Sequence, residues 1–282
     1  MTTIDASIGT TAPVGGPSAT VLRPRPAGLV HDVATIAGRA LRAVPRDIES
    51  VTPPLFIAVF FYVVNIATLQ DITSAQVQVP GFDFKAFMMC TSVLLGVTGV
   101  SRAYALVLDI QDGYFDRLLM TPVKRLAILL GHIAADITVA IGLTIPVMLL
   151  GWAYGAEFET GLVGVPVFVA LTASWSLAFA GFGYAIALKT GNPAAVQSSF
   201  MLFFPFLFMT SSYVPRDQLS PWLDTVAGFN PVTYVLDGQR SLTMVGWEWA
   251  DLGQAALAIV IMGTLSMSLC FAALRGRINR GS

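Results

Sequence analysis

Six apolar stretches, each near the length that crosses a bilayer, occupy most of the chain, and the charged residues sit between them. They run approximately over residues 54–69, 86–106, 126–150, 163–188, 195–209 and 252–274. A spanning helix needs roughly 20 mostly apolar residues, so the first and fifth stretches are short. Of the 282 residues, 55% are apolar and only 12% charged. A soluble domain of this size has no interior large enough to hide that much apolar surface. The runs do not alternate polar and apolar residues, which excludes the strands of a membrane barrel and leaves helices. The expected fold class is an all-α membrane protein with six transmembrane helices, and no room is left for a separate soluble domain.

Orientation follows from the Lys and Arg positions. Arg23, Arg25, Arg39, Arg42 and Arg46 precede the first span, and Arg102, Arg117, Lys124 and Arg125 lie between the second and third. Lys189 lies between the fourth and fifth, and Arg275, Arg277 and Arg280 follow the sixth. These thirteen share one side, against Lys85, Arg216 and Arg240 on the other. The positive-inside rule then puts both termini in the cytoplasm of a multi-pass protein of the plasma (inner) membrane. Residues 1–27, rich in Thr, Ala, Gly and Pro, predict a disordered cytoplasmic tail, and lack the apolar core of a secretory signal. Residues 28–50 form an amphipathic segment, 51–275 the six-span domain and 276–282 a second cytoplasmic tail. Cys90 and Cys270 are the only cysteines; this topology places them near opposite faces, too far apart for a disulfide.

Four segments carry more than span chemistry. In the first, Val33, Ile36, Ala37, Ala40, Leu41, Val44 and Ile48 recur at helical spacing while Arg39, Arg42 and Arg46 fall mainly elsewhere. A helix of this kind lies on the inner leaflet with its arginines among anionic headgroups, and Pro45 kinks or ends it. The second is the cytoplasmic connection after Asp109, where Asp112, Asp116 and Arg117 flank Phe115, Leu118 and Leu119 at i, i+3, i+4 spacing. Gly113 frees its entry and Pro122 stops it. Such a knob packs against its own protein or docks in a partner's groove. The third is the outer run from Tyr213 through Pro215, Pro221, Trp222, Asn230, Pro231 and Tyr234 to Arg240. Asn230 as N-cap with Pro231 at the first helical position starts a helix, and the apolar pieces could enter the membrane partway if other protein covers their backbone groups. The fourth is the aromatic and Met-rich fifth span with Phe200, Met201, Phe204 and Phe208, echoed by Phe87 and Met88 at the start of the second. Polarisable surfaces of this type accommodate varied apolar ligands, although lipid-facing or packing roles serve equally.

Within the membrane the one acid is Asp136, with His132 a turn earlier on the same face. A structural hydrogen bond and a proton relay both fit; a metal site does not, since His132 is the sole candidate ligand beside Asp136.

The two loop patterns carry a family resemblance. Asp109 and Asp112-Gly113 through Asp116-Arg117-Leu118-Leu119, Thr121-Pro122-Val123 and Arg125 resemble the permease subunits of ABC-2 type exporters. So does the run 203–213 with Val214-Pro215, Leu219, Pro221-Trp222 and Asn230-Pro231-Val232-Thr233-Tyr234 to Arg240. The chain looks most like the daunorubicin/doxorubicin-resistance type, over roughly 39–275, with Ile110 standing where many relatives carry Arg. The resemblance implies the ABC-2 (type V) exporter fold. It makes Asp112, Gly113, Phe115, Asp116, Arg117, Leu118 and Leu119 part of a coupling helix that rests on an ATP-hydrolysing subunit, with 31–50 an elbow helix. Pro215, Trp222, Asn230, Pro231, Tyr234 and Arg240 would belong to an outer re-entrant gate. Phe87, Met88, Phe200, Met201, Phe204 and Phe208 would line the substrate path.

No GxxxxGK[ST] occurs, and the lysines are only Lys85, Lys124 and Lys189, so the chain has no phosphate-cradling P-loop. The expectation is a non-enzymatic subunit without cofactors, ATP and Mg being bound by two copies of a partner ATPase. A second permease subunit, identical or homologous, and membrane lipids complete the expected partners, with no nucleic acid. The cargo would be an amphipathic or apolar compound, either drug-like or a lipid or cell-envelope precursor, moved outward. A proton-driven secondary transporter using His132 and Asp136 is the alternative, opposed by the sparse intramembrane charge and the lack of obvious internal repeats. A lipid-modifying enzyme would need a catalytic cluster that two histidines do not supply.

Overall fold

The computed structural model describes residues 34–39, 42, 48–77, 82–98, 101, 103–113, 125–201 and 203–280. Among these residues the chain is helical, with no strand. The helices are α1 (Ile48–Gln76), α2 (Phe84–Thr98), α3 (Ala103–Gln111), α4 (Arg125–Ala153), α5 (Gly161–Thr190), α6 (Pro193–Met201), α7 (Phe203–Phe208), α8 (Pro221–Phe229), α9 (Pro231–Arg240) and α10 (Trp249–Arg280). A 3₁₀ turn at Arg216–Gln218 precedes α8, and a π turn at Ser241–Val245 follows α9. The expected tail, Phe115, Asp116, Arg117, Leu118 and Leu119, and the end of the chain lie outside the described residues, as does part of the amphipathic segment.

Among the described residues five segments are long and apolar enough to cross a membrane: Val51–Thr73, Phe84–Gln111, Leu130–Ala153, Gly161–Thr190 and Trp249–Arg277. The fifth expected span differs. Its apolar stretch Pro193–Phe208, which holds α6 and α7, falls below the length of a full crossing. Among the described residues, five segments of spanning length and one shorter apolar one thus stand where six spans were expected. After Phe208 the chain bends through 209–214 and forms the short helices α8 and α9 before α10 begins.

Local chemistry sets several of these boundaries. Gly191, at φ +60°, ends α5 in the left-handed conformation that costs glycine nothing, its N–H donating to the Ala187 carbonyl (2.8 Å). Asn192 then accepts from the Ala194 N–H (2.9 Å), with Pro193 opening α6. The same Asn-Pro device starts α9, as described below.

Packing is most extensive between α5 and α10, followed by α9 on α10 and α1 on α2. Small residues permit the first contact: a Cβ added at Gly181 would lie 2.5 Å from Ser266 Oγ and 3.0 Å from the Ser266 carbonyl carbon. Helices in lipid associate through such close approach, since lipid tails give no hydrophobic drive. Two apolar clusters result. The larger joins Tyr62, Met88, Leu94, Trp175 and Phe203 with Val235 of α9; the smaller joins Ile36, Leu106, Tyr184 and Cys270. The first lies toward the hairpin end, which bears α8 and α9. The second lies toward the basic end, which bears Arg39, Lys189 and Arg277. Cys90 and Cys270 fall in different clusters and both are free thiols.

Candidate functional site

At the hairpin end one side chain organises two helix termini. The last carbonyls of an α-helix have no partner of their own, and those of Phe206 and Met209 receive the Asn230 Nδ2 amide at 2.5 and 2.9 Å. The Oδ1 of the same residue accepts the Val232 N–H (3.0 Å), capping α9 with Pro231 in its first turn. Neighbouring hydroxyls complete the cover. Thr233 donates to the Ala227 carbonyl (2.8 Å), so the 2.6 Å contact between Thr210 and Thr233 is a donation from Thr210. Ser212 donates to the Leu207 carbonyl, and Tyr234 to that of Gly228 at 2.6 Å. The backbone of an irregular turn is thereby satisfied inside protein.

The helix α9 runs back along α10, to which a short turn connects it, with Gly238 against Ala255 and the Asp251 carbonyl. Its ten residues make it about 15 Å long, which sets Asn230 that far below the turn at Ser241–Val245. It is a polar helix in sequence, yet Val232, Thr233, Val235, Leu236, Gly238, Gln239 and Arg240 are all buried. Gln239 Nε2 donates to Thr172 Oγ1 of α5 (2.8 Å).

Arg240, only 5% exposed, is the charged centre of this end. Its Nη1 donates to Ser211 Oγ (2.9 Å) and its Nη2 to Thr91 Oγ1 (3.1 Å), while Thr91 donates to the Ser212 carbonyl (3.1 Å). The guanidinium carbon stands 3.5 Å from the centroid of Phe87, a cation–π contact. Asp237 Oδ1 lies 3.9 Å from Nη1. Burial lowers the Arg240 pKa to about 10, so the group stays charged at neutral pH. Burial also raises the Asp237 carboxyl above its ordinary range, against the pull of Arg240. Arg240, Ser211, Phe87 and Asp237 line a pocket of about 350 Å³ together with Phe82, Pro215, Arg216, Asp217 and Met244. On its rim Arg216 donates to Asp224 Oδ1 (2.6 Å), a bond that holds the guanidinium pKa up.

The basic end is built differently. Ile36 and Ala37 of the helical stretch 34–39 are buried against α4, where a Cβ on Gly131 would meet Ile36 Cγ2 at 2.5 Å. Arg39 donates to Asp109 Oδ2 (2.9 Å), and His132 Nε2 lies 3.5 Å from the same oxygen. Asp109 thus joins the amphipathic segment, α3 and α4 just before Asp112 and Gly113 turn into the connection beyond. Gln111 Nε2 ties this corner to the Gly191 carbonyl (3.0 Å). Asp136 is fully buried and accepts the Tyr184 hydroxyl at 2.5 Å, the structural hydrogen bond that its depth requires.

The sequence model of the family described as ABC-2 type transporter matches residues 35–244, which contain both ends of this arrangement. The chain belongs to the ABC-2 type transporter family. It is similar to the daunorubicin resistance ABC transporter permease protein DrrB1 of Streptomyces coeruleorubidus, 27% identical over 99% of this chain and 98% of the relative. It is also similar to the probable doxorubicin resistance ABC transporter permease protein DrrC of Mycobacterium tuberculosis, 22% identical over 74% of this chain and 75% of the relative. A shorter match, 29% identical over 87 residues, is to the putative transport permease ycf38 of Pyropia yezoensis. This ABC-2 chain is therefore a multi-pass membrane protein and a transport component of the permease type, as its relatives are.

Within the ABC-2 frame, the structure sorts the sequence-based site residues into three groups. Asn230, Pro231 and Tyr234 stand at or near the start of α9 and Arg240 at its other end, where it lines the pocket with Pro215, while Trp222 stands 64% exposed on α8. The path residues whose side chains are described divide, with Phe204 packed against the cluster that holds Phe87 and Met88. Phe87 and Met88 are buried in the core, Phe200 lies in α6, and Met201 and Phe208 face outward at 71% and 42% exposure. Phe204 stacks on Phe208 and Phe208 on Tyr213, which meets Phe61 of α1, an aromatic ladder at the edge of the larger apolar cluster. Of the coupling residues Asp112 and Gly113 are described, the latter at φ +68°. Sequence reasoning missed Ser211, Thr91 and Asp237 around Arg240, and the pairing of Arg39 with Asp109. Opposite charge in two amphipathic segments was the available signal for the pair.

Proposed function

We propose that this ABC-2 chain is the permease half of an ATP-driven exporter that moves an amphipathic or apolar compound outward across the plasma membrane. Two permease subunits, identical or homologous, assemble with two ATPase subunits that bind ATP and Mg. Both termini are cytoplasmic, and the basic end faces the ATPases. Residues 31–50 act as the elbow helix and Asp112–Met120 as the coupling helix, with Phe115, Leu118 and Leu119 in the partner's groove and Asp116 and Arg117 at its edge. The α8–α9 hairpin is the re-entrant outer gate. The exposed apolar faces of α1 and α7, including Phe56, Phe60 and Phe206, meet the second permease, and Met- and Phe-rich surfaces carry the cargo.

The observation that carries this reading is the similarity over nearly the whole length of a daunorubicin resistance permease. The polar latch supports it: Asp109 links the elbow segment to α4 at the mouth of the coupling connection. ATP binding drives the two-state shift, nucleotide biasing one state over the other. The decisive experiment is co-purification of the tagged chain with the ATPase encoded beside it, in mild detergent, with ATP hydrolysis assayed in the presence of apolar compounds. Leu118→Asp with Leu119→Asp should abolish ATPase association while insertion is retained. Normal assembly of that variant would remove the coupling role.

A further inference from the structure

We propose that the pocket around Arg240 binds the headgroup of a zwitterionic amphiphile, its anionic oxygen on the Arg240 guanidinium and its cationic group at Asp217 and Asp237. The pocket, about 350 Å³, falls in the size range of small-molecule sites. Its charges divide by position. Arg216 also lines the pocket, but its charge is balanced by Asp224 at 2.6 Å. What remains is one cation, Arg240, and two acids, Asp217 and Asp237.

Arg240 is not saturated. A guanidinium has five N–H donors; two are placed, on Ser211 and Thr91, and Nε has no partner among the described residues. The 3.9 Å separation from Asp237 leaves that contact at the edge of an ion pair. A buried charge gains most from a ligand that completes its hydrogen bonds. Phe87 covers one face of the guanidinium, so a phosphate or carboxylate oxygen is received at its edge. Asp217 makes no ion pair or side-chain hydrogen bond with a described residue, and it is exposed on the rim. Phe82, Pro215 and Met244 supply an apolar wall for the hydrophobic part of the molecule.

Complementarity decides the class. Two rim acids repel a purely anionic amphiphile, and Arg240 repels a purely cationic one, whereas a zwitterion meets both signs. The inference rests on the export reading for the occupant's role as cargo. Binding to the purified chain without any ATPase tests the site alone, so the two can fail separately.

The test is calorimetric titration of the full chain in mild detergent with dioctanoyl phosphatidylethanolamine, dioctanoyl phosphatidylglycerol and dioctanoylglycerol. The zwitterionic lipid is expected to bind about tenfold more tightly than the anionic one, with the uncharged one weakest, as fits a charge-assisted hydrogen bond. Arg240→Gln should weaken the zwitterionic lipid by about tenfold or more on the same basis. Asp217→Asn should erase the preference for the zwitterionic over the anionic lipid. Equal affinity across headgroups, or unchanged binding to folded Arg240→Gln, overturns the proposal. If Arg240→Gln does not fold, an unchanged preference in Asp217→Asn overturns it. Soluble glycerophosphoethanolamine separates lipid from free ion: binding as tight as the lipid's removes the amphiphile from the proposal.

Discussion

The two ends of the molecule hold their polar groups by opposite means. In the interior of the hairpin end, beneath the exposed Arg216–Asp224 pair, polar atoms are buried and their partners are helix carbonyls, N–H groups and hydroxyls, as with Asn230, Thr233 and Ser212. At the basic end, Arg39 and Asp109 meet as an ion pair with side chains 46% and 21% exposed. A buried hydrogen bond is costly to leave unmade, while an exposed ion pair is screened and worth little. The hairpin end is therefore a fixed assembly. The basic end is an adjustable contact whose strength depends on salt and on what docks beside it.

Removing Asn230 is the strongest attack on that contrast. Asn230→Leu leaves two carbonyls without their donor and the Val232 N–H without its cap. At roughly 1–3 kcal/mol per buried group left unsatisfied, the loss should exceed that of any single change at Gly238, Arg39 or Asp109, read as a drop in thermal midpoint in detergent. Asn230→Asp restores the acceptor but neither donor, and should fall between. A Leu variant no less stable than one altered at Arg39 would erase the distinction between the ends.

Backbone closeness at the hairpin end supplies the next effect. A Cβ at Gly238 would lie 2.7 Å from Ala255 Cβ and 3.3 Å from the Asp251 carbonyl oxygen. Gly238→Val forces α9 off α10, costing about 1–3 kcal/mol as overpacking does. Because α9 carries Arg240, the same variant should weaken ligand binding at the pocket more than it changes association with an ATPase. Equal losses in both assays would mean that the hairpin does not move separately from the rest.

At the basic end, a double-mutant cycle on Arg39→Ala and Asp109→Asn should return less than about 1 kcal/mol of coupling, fading at high salt. The pair's value is expected instead in communication: either single change should lower cargo-stimulated ATP hydrolysis in the assembled complex while the thermal midpoint barely shifts. A coupling energy as large as the Asn230 effect would show this end to be as fixed as the other.

Much of this was legible beforehand, and the reasons differ by residue. Spans announce themselves because lipid requires long apolar helices, and Asn230-Pro231 announces a helix start because capping is local. The short fifth span was visible as a short run of apolar residues, but its termination is not local. It depends on an amide from Asn230, more than twenty residues later, reaching the Phe206 and Met209 carbonyls. Arg240 was assigned to the outer gate by motif, yet nothing in a single sequence places Thr91 under its guanidinium, 149 residues away. The path residues divide between core and surface for a related reason. Phe and Met fit core, lipid and cargo equally, so their chemistry does not distinguish the buried Phe87 from the exposed Phe208.

The smallest effect lies in the pH dependence of Asp237. Burial raises its carboxyl pKa despite Arg240 nearby, so the fold prefers the protonated form. A group raised in the folded state contributes its full stability below its unfolded pKa, taken as 3.8, and loses it as pH rises through the folded value. Asp237→Asn imitates the protonated form and cannot titrate. Wild type and variant should therefore melt together at the acid end. Above the ordinary carboxylate range the wild type should fall behind, with the gap levelling once Asp237 is ionised in both states. The opposite sign, a variant that loses ground as pH rises, would mean that the Asp237 charge is needed by Arg240 more than it is penalised by burial. In that case the interior of the hairpin end would hold a buried charge pair, and its contrast with the basic end would rest on the hydrogen bonds of Asn230, Thr233 and Ser212.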